Sequence, residues 1–147
     1  MGASAYWYFV PFEEDFNSAL QKLRQTEFKA GRYNPVVMFP EFPITEQSES
    51  PGCKHNSIEE AFEEAEEDGT RSILDLSIVS EKDDYCVARL LSKEELIRLF
   101  GTDKPDRRQI ENNFDFFDRI ERGKGLCIPV FKNSIPNELY FVGFSFD

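Results

Sequence analysis

Two stretches of this chain are apolar on both sides of a strand. Near the start, Ala5-Tyr6-Trp7-Tyr8-Phe9-Val10 puts Tyr6, Tyr8 and Val10 on one face and Trp7 and Phe9 on the other. Near the end, Leu139, Phe141 and Gly143 oppose Tyr140, Val142, Phe144 and Phe146. A strand with one wet face alternates apolar and polar positions. These runs do not, which predicts strands covered on both faces. The two ends are therefore expected in the middle of one sheet, side by side.

Between them the period changes. Glu13-Glu14-Asp15 place negative charge at a helix start, and Phe16, Ala19, Leu20, Leu23 and Ala30 recur at helical spacing as far as Gly31. This predicts a helix over residues 15–30. Residues 33–56 hold neither period, and Pro35, Pro40, Pro43 and Pro51 punctuate them. The segment Val36-Val37-Met38-Phe39 is too apolar for a free linker. A segment laid across a sheet face is expected, with a lid or partner-binding loop as the alternative reading of so long a connection.

Ser57-x-x-Glu60 is a capping box. It opens a helix with Ile58, Ala61, Phe62 and Ala65 inside, stopped at Gly69. The other face carries Glu59, Glu60, Glu63, Glu64, Glu66, Glu67 and Asp68. Like charges one turn apart cost about 0.2–0.5 kcal/mol per pair. Burial of Ile58 and Phe62 offsets that cost, so the helix needs no partner to form.

Residues 71–79 read as a strand, with Ser72, Leu74, Leu76 and Ile78 opposite Arg71, Ile73, Asp75, Ser77 and Val79. A polar turn at 81–84 then predicts 85–91 as its antiparallel partner. Ser92-x-x-Glu95 is a second capping box, with Leu91 and Leu96 in staple register, opening a short helix over 93–100. Thr102-Asp103-Lys104-Pro105 signals another helix start. Its stripe is Ile110, Phe114, Phe117 and Ile120, broadened by Phe116, and it stops at Gly123. Residues 126–131 and the final strand form a hairpin. Pro129 there implies a missing ladder bond, as at an edge or a bulge. The order lacks βαβ alternation. It predicts one α+β domain over 1–147: a mainly antiparallel sheet of about five strands, its N- and C-terminal strands central, packed by about four helices.

Charge narrows the functions. The net charge of −11 argues against nucleic acid and against an anionic membrane surface, and suits a basic protein partner. A leader with a basic start and an apolar core is not visible, position 6 is Tyr where a myristoylation signal wants Ser or Thr, and no apolar run nears a membrane span. A cytoplasmic location is expected. Cys53, Cys86 and Cys127 are scattered, which disfavours a disulfide framework or a structural zinc site.

Catalytic signatures are missing. Arg122-Gly123-Lys124-Gly125 leads from a helix into a strand, the reverse of a phosphate loop, and neither GxSxG nor HExxH occurs. Cys53-Lys54-His55 precedes a helix start, where a thiol could be activated. Residues two apart in a polar loop need not face each other, so a surface loop is the simpler reading. No cofactor or metal site is expected. The best polar candidates near the apolar strands are Arg71 and Asp75 with Tyr8 and Tyr140, either lining a pocket or forming a buried ion pair or an edge guarded by inward charge.

The segments MGASAYWYFVPFEEDFNSALQKLR, GTRSILDL, LSKEELIRLFGTDKP and ELYFVGFSFD together resemble a small family of bacterial proteins with no assigned activity. The resemblance covers most of the chain and implies a bacterial, cytosolic, single-domain protein. It carries over no catalytic residue. The expected function is non-enzymatic: an acidic binding or regulatory protein, antitoxin- or immunity-like, that meets a basic protein through Glu59, Glu60, Glu63, Glu64 and Glu67. The alternative is a small-ligand binder or enzyme with an aromatic pocket between the sheet and the 33–56 loop. A nucleic-acid mimic is a third option. A homodimer is expected if the helices cover only one sheet face.

Overall fold

The computed structural model describes residues 3–113 and 119–147. Among these lie five strands, β1 (Ala5–Pro11), β2 (Ile78–Ser80), β3 (Val87–Leu90), β4 (Gly125–Lys132) and β5 (Ile135–Phe144), and four α-helices, α1 (Phe16–Ala30), α2 (Ile58–Ala65), α3 (Lys93–Phe100) and α4 (Arg107–Glu111). The strands form one sheet in the order β1-β5-β4-β3-β2. The fold is α+β, and the two ends of the chain do pair. β1 and β5 run antiparallel from Ala5↔Phe144 to Pro11↔Glu138. β5 lies inside the sheet, whereas β1 has β5 as its one strand neighbour.

Both faces of the terminal pair are covered. Tyr6, Tyr8, Leu139 and Phe141 face a core built from Ala19, Leu20, Leu23 and Phe28 of α1 and Ile58 and Ala61 of α2. On the other side Tyr140, Val142, Leu126 and Ile128 pack against Leu96 of α3 and Ile110 of α4, with Trp7 and Phe9 at the margin. The second face is thus covered within the chain, where a second copy was the expected alternative.

The sheet is mixed, and antiparallel over most of its paired length, as expected. The two long pairings, β1–β5 and β4–β5, are antiparallel, and the two short ones, β2–β3 and β3–β4, are parallel. Pro129 behaves as expected. β3 pairs with β4 only as far as Cys127, and the register shifts between Val130 and Phe131.

The strand expected over 71–79 is replaced by a 3₁₀ turn, Ile73–Asp75, and only Ile78–Ser80 is extended and paired. Ser72 drives the change: its hydroxyl accepts the Leu74 N–H at 3.2 Å, a local cap that competes with a ladder. The expected 71–79/85–91 hairpin is also corrected. The Ser77 N–H and hydroxyl both donate to the Cys86 carbonyl, and the Cys86 N–H donates to the Gly123 carbonyl. Those bonds bring Val87 back beside Ile78, so β3 starts where β2 starts and the two run parallel. The helix expected from 102 to 123 begins instead at Asp106, whose side chain accepts the Gln109 N–H, and α4 ends at Glu111 before Asn112 and Asn113. Phe114, Phe116 and Phe117 of its predicted stripe lie outside the described residues.

Candidate functional site

Three of the four predicted ligand residues meet, but they close a core instead of lining a pocket. The turn at 69–76 is folded around Asp75, which is 1% exposed. Its carboxylate accepts the Thr70 N–H and hydroxyl, both at 2.8 Å, and the Ser145 hydroxyl at 2.6 Å. No cation pairs with it among the described residues. Burial pushes its carboxyl above the usual carboxylate range, and the three hydrogen bonds pull the other way. Tyr8 sits beside it, its phenol oxygen accepting the Ile73 N–H at 3.1 Å. Burial raises the Tyr8 phenol well above its ordinary value. Tyr140 lies on the opposite sheet face, 4.6 Å from the Phe9 ring.

Arg71 and Asp75 do not pair. Arg71 has φ +53, a left-handed conformation that costs a non-glycine residue free energy. That backbone lets its N–H donate to Ser145 Oγ at 3.1 Å and swings its side chain away from Asp75. Nε donates to Asp147 at 2.8 Å and Nη1 to the Met38 carbonyl at 2.8 Å, and the guanidinium lies 4.3 Å from the Phe39 ring centre. Burial raises the Asp147 carboxyl, but hydrogen bonds from the Ser4 N–H and hydroxyl, together with Arg71, outweigh it and hold Asp147 below its usual range. Arg71 therefore fixes an exposed apolar pair: Met38 is 64% and Phe39 61% exposed.

The long loop is a closed structure. Its neck is a bond from the Gly52 N–H to the Ala30 carbonyl at 2.9 Å, directly beside Gly31. Tyr33 stacks on Phe28, and the Asn34 N–H and side chain donate to the Thr70 and Gly69 carbonyls. Phe42 wraps the outer side of β1, with its ring 5.4 Å from Trp7 and 5.2 Å from Tyr8. The loop thus shields the sheet as expected. It also encloses a cleft of about 430 Å³ lined by Arg32, Val37, Phe39, Phe42, Ile44 and neighbouring polar residues. A second cleft, about 240 Å³, lies between α3 and β4 and is rimmed by Arg89, Arg98, Arg119 and Lys124. None of Arg71, Asp75, Tyr8 and Tyr140 lines either one.

His55 has both ring nitrogens occupied. Tyr33 Oη is 2.8 Å from Nδ1, and Nε2 bonds Glu64 of α2. The Glu64 carboxylate can only accept, so Nε2 carries the hydrogen of that bond; in the neutral ring Nδ1 is then the acceptor, and the Tyr33 hydroxyl donates to it while its oxygen accepts the Lys54 N–H. Neither nitrogen is left for the exposed Cys53 thiol. Among the described residues, no group of His, Cys, Asp or Glu could hold a metal ion, and no helix is long and apolar enough to cross a membrane. Removing the phenol in Tyr33→Phe strips a partner from the buried Nδ1 and from the Lys54 N–H. A loss of about 1–3 kcal/mol in chemical denaturation is expected.

Of the five predicted partner residues, Glu59, Glu60, Glu63 and Glu67 are exposed without an ion pair among the described residues, and Glu64 is exposed but engaged by His55. Sequence reading missed the neck and the Tyr33–His55–Glu64 chain, and it set a pocket between the sheet and the 33–56 loop, whereas the cleft is lined by residues between 32 and 49 and by no strand residue. The one signal for the neck was the pair of glycines bracketing the proline-rich stretch. No protein-family model, no curated protein and no solved structure matches this chain.

Proposed function

We propose that this is a non-enzymatic, acidic regulatory protein of the bacterial cytosol that works by protein–protein contact, as an antitoxin- or immunity-like inhibitor does. The observation that carries this reading is the outer face of α2 and of the 3₁₀ turn Glu66–Asp68 that follows it. Glu59, Glu60, Glu63 and Glu67 are exposed and, among the described residues, none forms an ion pair. An acidic face of this kind steers a basic partner and fixes its orientation more than it holds it.

The test is the fourfold charge reversal Glu59→Lys, Glu60→Lys, Glu63→Lys and Glu67→Lys, compared with the parent chain in affinity capture at low and moderate salt. The expected result is a partner retained by the parent, released as salt rises, and absent from the variant. Retention of every captured protein by the variant overturns the reading. The loop cleft favours a second reading, a small-ligand binder or enzyme, since its volume falls in the range of about 300–1,000 Å³ common for ligand pockets. Its polar groups would be those of the loop, not Asp75 or Tyr140.

A further inference from the structure

Charge alone does not anchor a complex; anchors are apolar groups seated in pockets. The exposed face of α2 has none: among the described residues the exposed large hydrophobics are Met38, Phe39, Ile78, Tyr85, Ile97 and Ile135. Two of them belong to the loop that carries the larger cleft. We infer that this cleft seats an apolar side chain from a basic segment of the partner, with Glu41 and Glu49 receiving the flanking lysine or arginine side chains. The inference rests on the contact reading above and names where that contact is anchored.

The charges favour a cation-flanked guest. Among the described residues Arg32 is the single cation in the lining, and it is already satisfied. Its Nε and Nη2 donate to the two oxygens of buried Glu27 at 2.8 and 2.7 Å, and Nη1 donates to Ser50. Glu41 and Glu49 line the same cleft, are exposed and have no ion pair among the described residues. The field at the mouth is therefore negative, within a chain of net charge −11. The walls are apolar: Val37, Phe39, Phe42 and Ile44.

The cleft is also built before the guest arrives. The Gly52–Ala30 bond closes its neck, Phe42 is wedged against Trp7 and Tyr8, and Arg71 holds the Met38 carbonyl and the Phe39 ring. A preformed wall spares the ordering cost that a floppy loop would meet on binding.

Trp7 is the one tryptophan of the chain, and its ring lies 5.4 Å from that of Phe42. Phe42 lines the cleft, so a guest that displaces that ring is expected to shift Trp7 emission. The probes are a short lysine–phenylalanine peptide, its lysine–serine analogue and its glutamate–phenylalanine analogue, titrated at physiological salt. The expected result is a saturable shift in Trp7 emission with the first, bound at least about tenfold more tightly than the other two. Glu41→Lys with Glu49→Lys should weaken it by about tenfold or more, and so should Phe39→Ser, which removes one exposed wall. Equal binding of the lysine–phenylalanine and lysine–serine peptides overturns the inference, because charge would then suffice. So does affinity unchanged in both cleft variants. If the α2 reversal abolishes capture while the cleft variants bind the peptide as the parent does, the contact reading stands and the cleft is excluded as its anchor.

Discussion

Asp75→Ala is expected to destabilise the fold by about 2–4 kcal/mol, while Asp75→Asn is expected to leave it unchanged or more stable at neutral pH. The difference lies in which groups can find new partners. With alanine, Ser145 can turn to the Asp68 carbonyl at 2.9 Å and the Thr70 hydroxyl to Ser72 Oγ at 2.9 Å. The Thr70 N–H has no such recourse and is left buried and unpaired beside a new void. With asparagine, the side-chain oxygen keeps both Thr70 bonds and its amide can donate to Ser145, so the hydrogen bonds survive and a desolvated charge disappears.

The pH dependence has a definite sign. The folded carboxyl of Asp75 titrates above its ordinary 3.8. Between 3.8 and that raised value the folded chain binds the extra proton, so stability falls as pH rises through the window. The advantage of Asp75→Asn should therefore be full at neutral pH, shrink as pH falls through the raised value, and be smallest below about pH 4. Asp147 acts oppositely. Its folded carboxyl is depressed, so its contribution is present above 3.8 and is lost as pH falls through its lowered value. Urea melts of the parent and the two variants across this range check the sign for Asp75, and the same melts of Asp147→Asn check the sign for Asp147. A stability gap between parent and Asp75→Asn that does not vary with pH would reject a buried charged Asp75.

Gly31→Ala is expected to lower stability by at least about 2 kcal/mol and to open the neck of the long loop. A side chain at φ +76 already costs about 1–2 kcal/mol. The added Cβ would also stand 2.6 Å from the Gly52 carbonyl carbon and 2.8 Å from its nitrogen, closer still to its oxygen. Those are backbone atoms and cannot rotate away. Gly52→Ala is the control. Its φ is +92, but nothing lies within 4 Å of the new Cβ, so only the conformational cost remains. Thermal melts should separate the two, at about 2–4 °C per kcal/mol for a chain of this size. Proteolysis within 33–56 should accelerate in Gly31→Ala and less in Gly52→Ala.

The parts of this fold that were legible in the sequence are those set by neighbours a turn or two away. Doubly apolar runs located β1 and β5, and Ser57 and Ser92 marked the starts of α2 and α3. Pro129 announced the lapse of a ladder. The misreadings come from residues whose partners are distant. Ser72, Leu74 and Leu76 alternate as a strand should, yet the local Ser72 cap bends that stretch and the distant Ser145 and Tyr8 hold it as a turn. An ion pair between Arg71 and Asp75, on the same face of the expected strand, was one of the readings open for them. The left-handed backbone of Arg71 sends its side chain to Asp147 and the Met38 carbonyl instead. The loop was legible as the place for a pocket, but the walls of the cleft were not: they come from an aperiodic segment whose shape is set by Gly31, Gly52 and Tyr33, residues with no periodic signature.

The pairing of β1 with β5 has a cost that falls before the protein is finished. β1 leaves the ribosome well before its partner β5 and has to wait for it, since Ala5 lies opposite Phe144. Until then a wholly greasy hexamer, Ala5 to Val10, has no ladder to join. Long-range closure of this kind slows folding and prolongs exposure of sticky chain. The β4–β5 hairpin can zip locally within the nascent polypeptide, leaving one free edge as the template on which the opening strand finally docks.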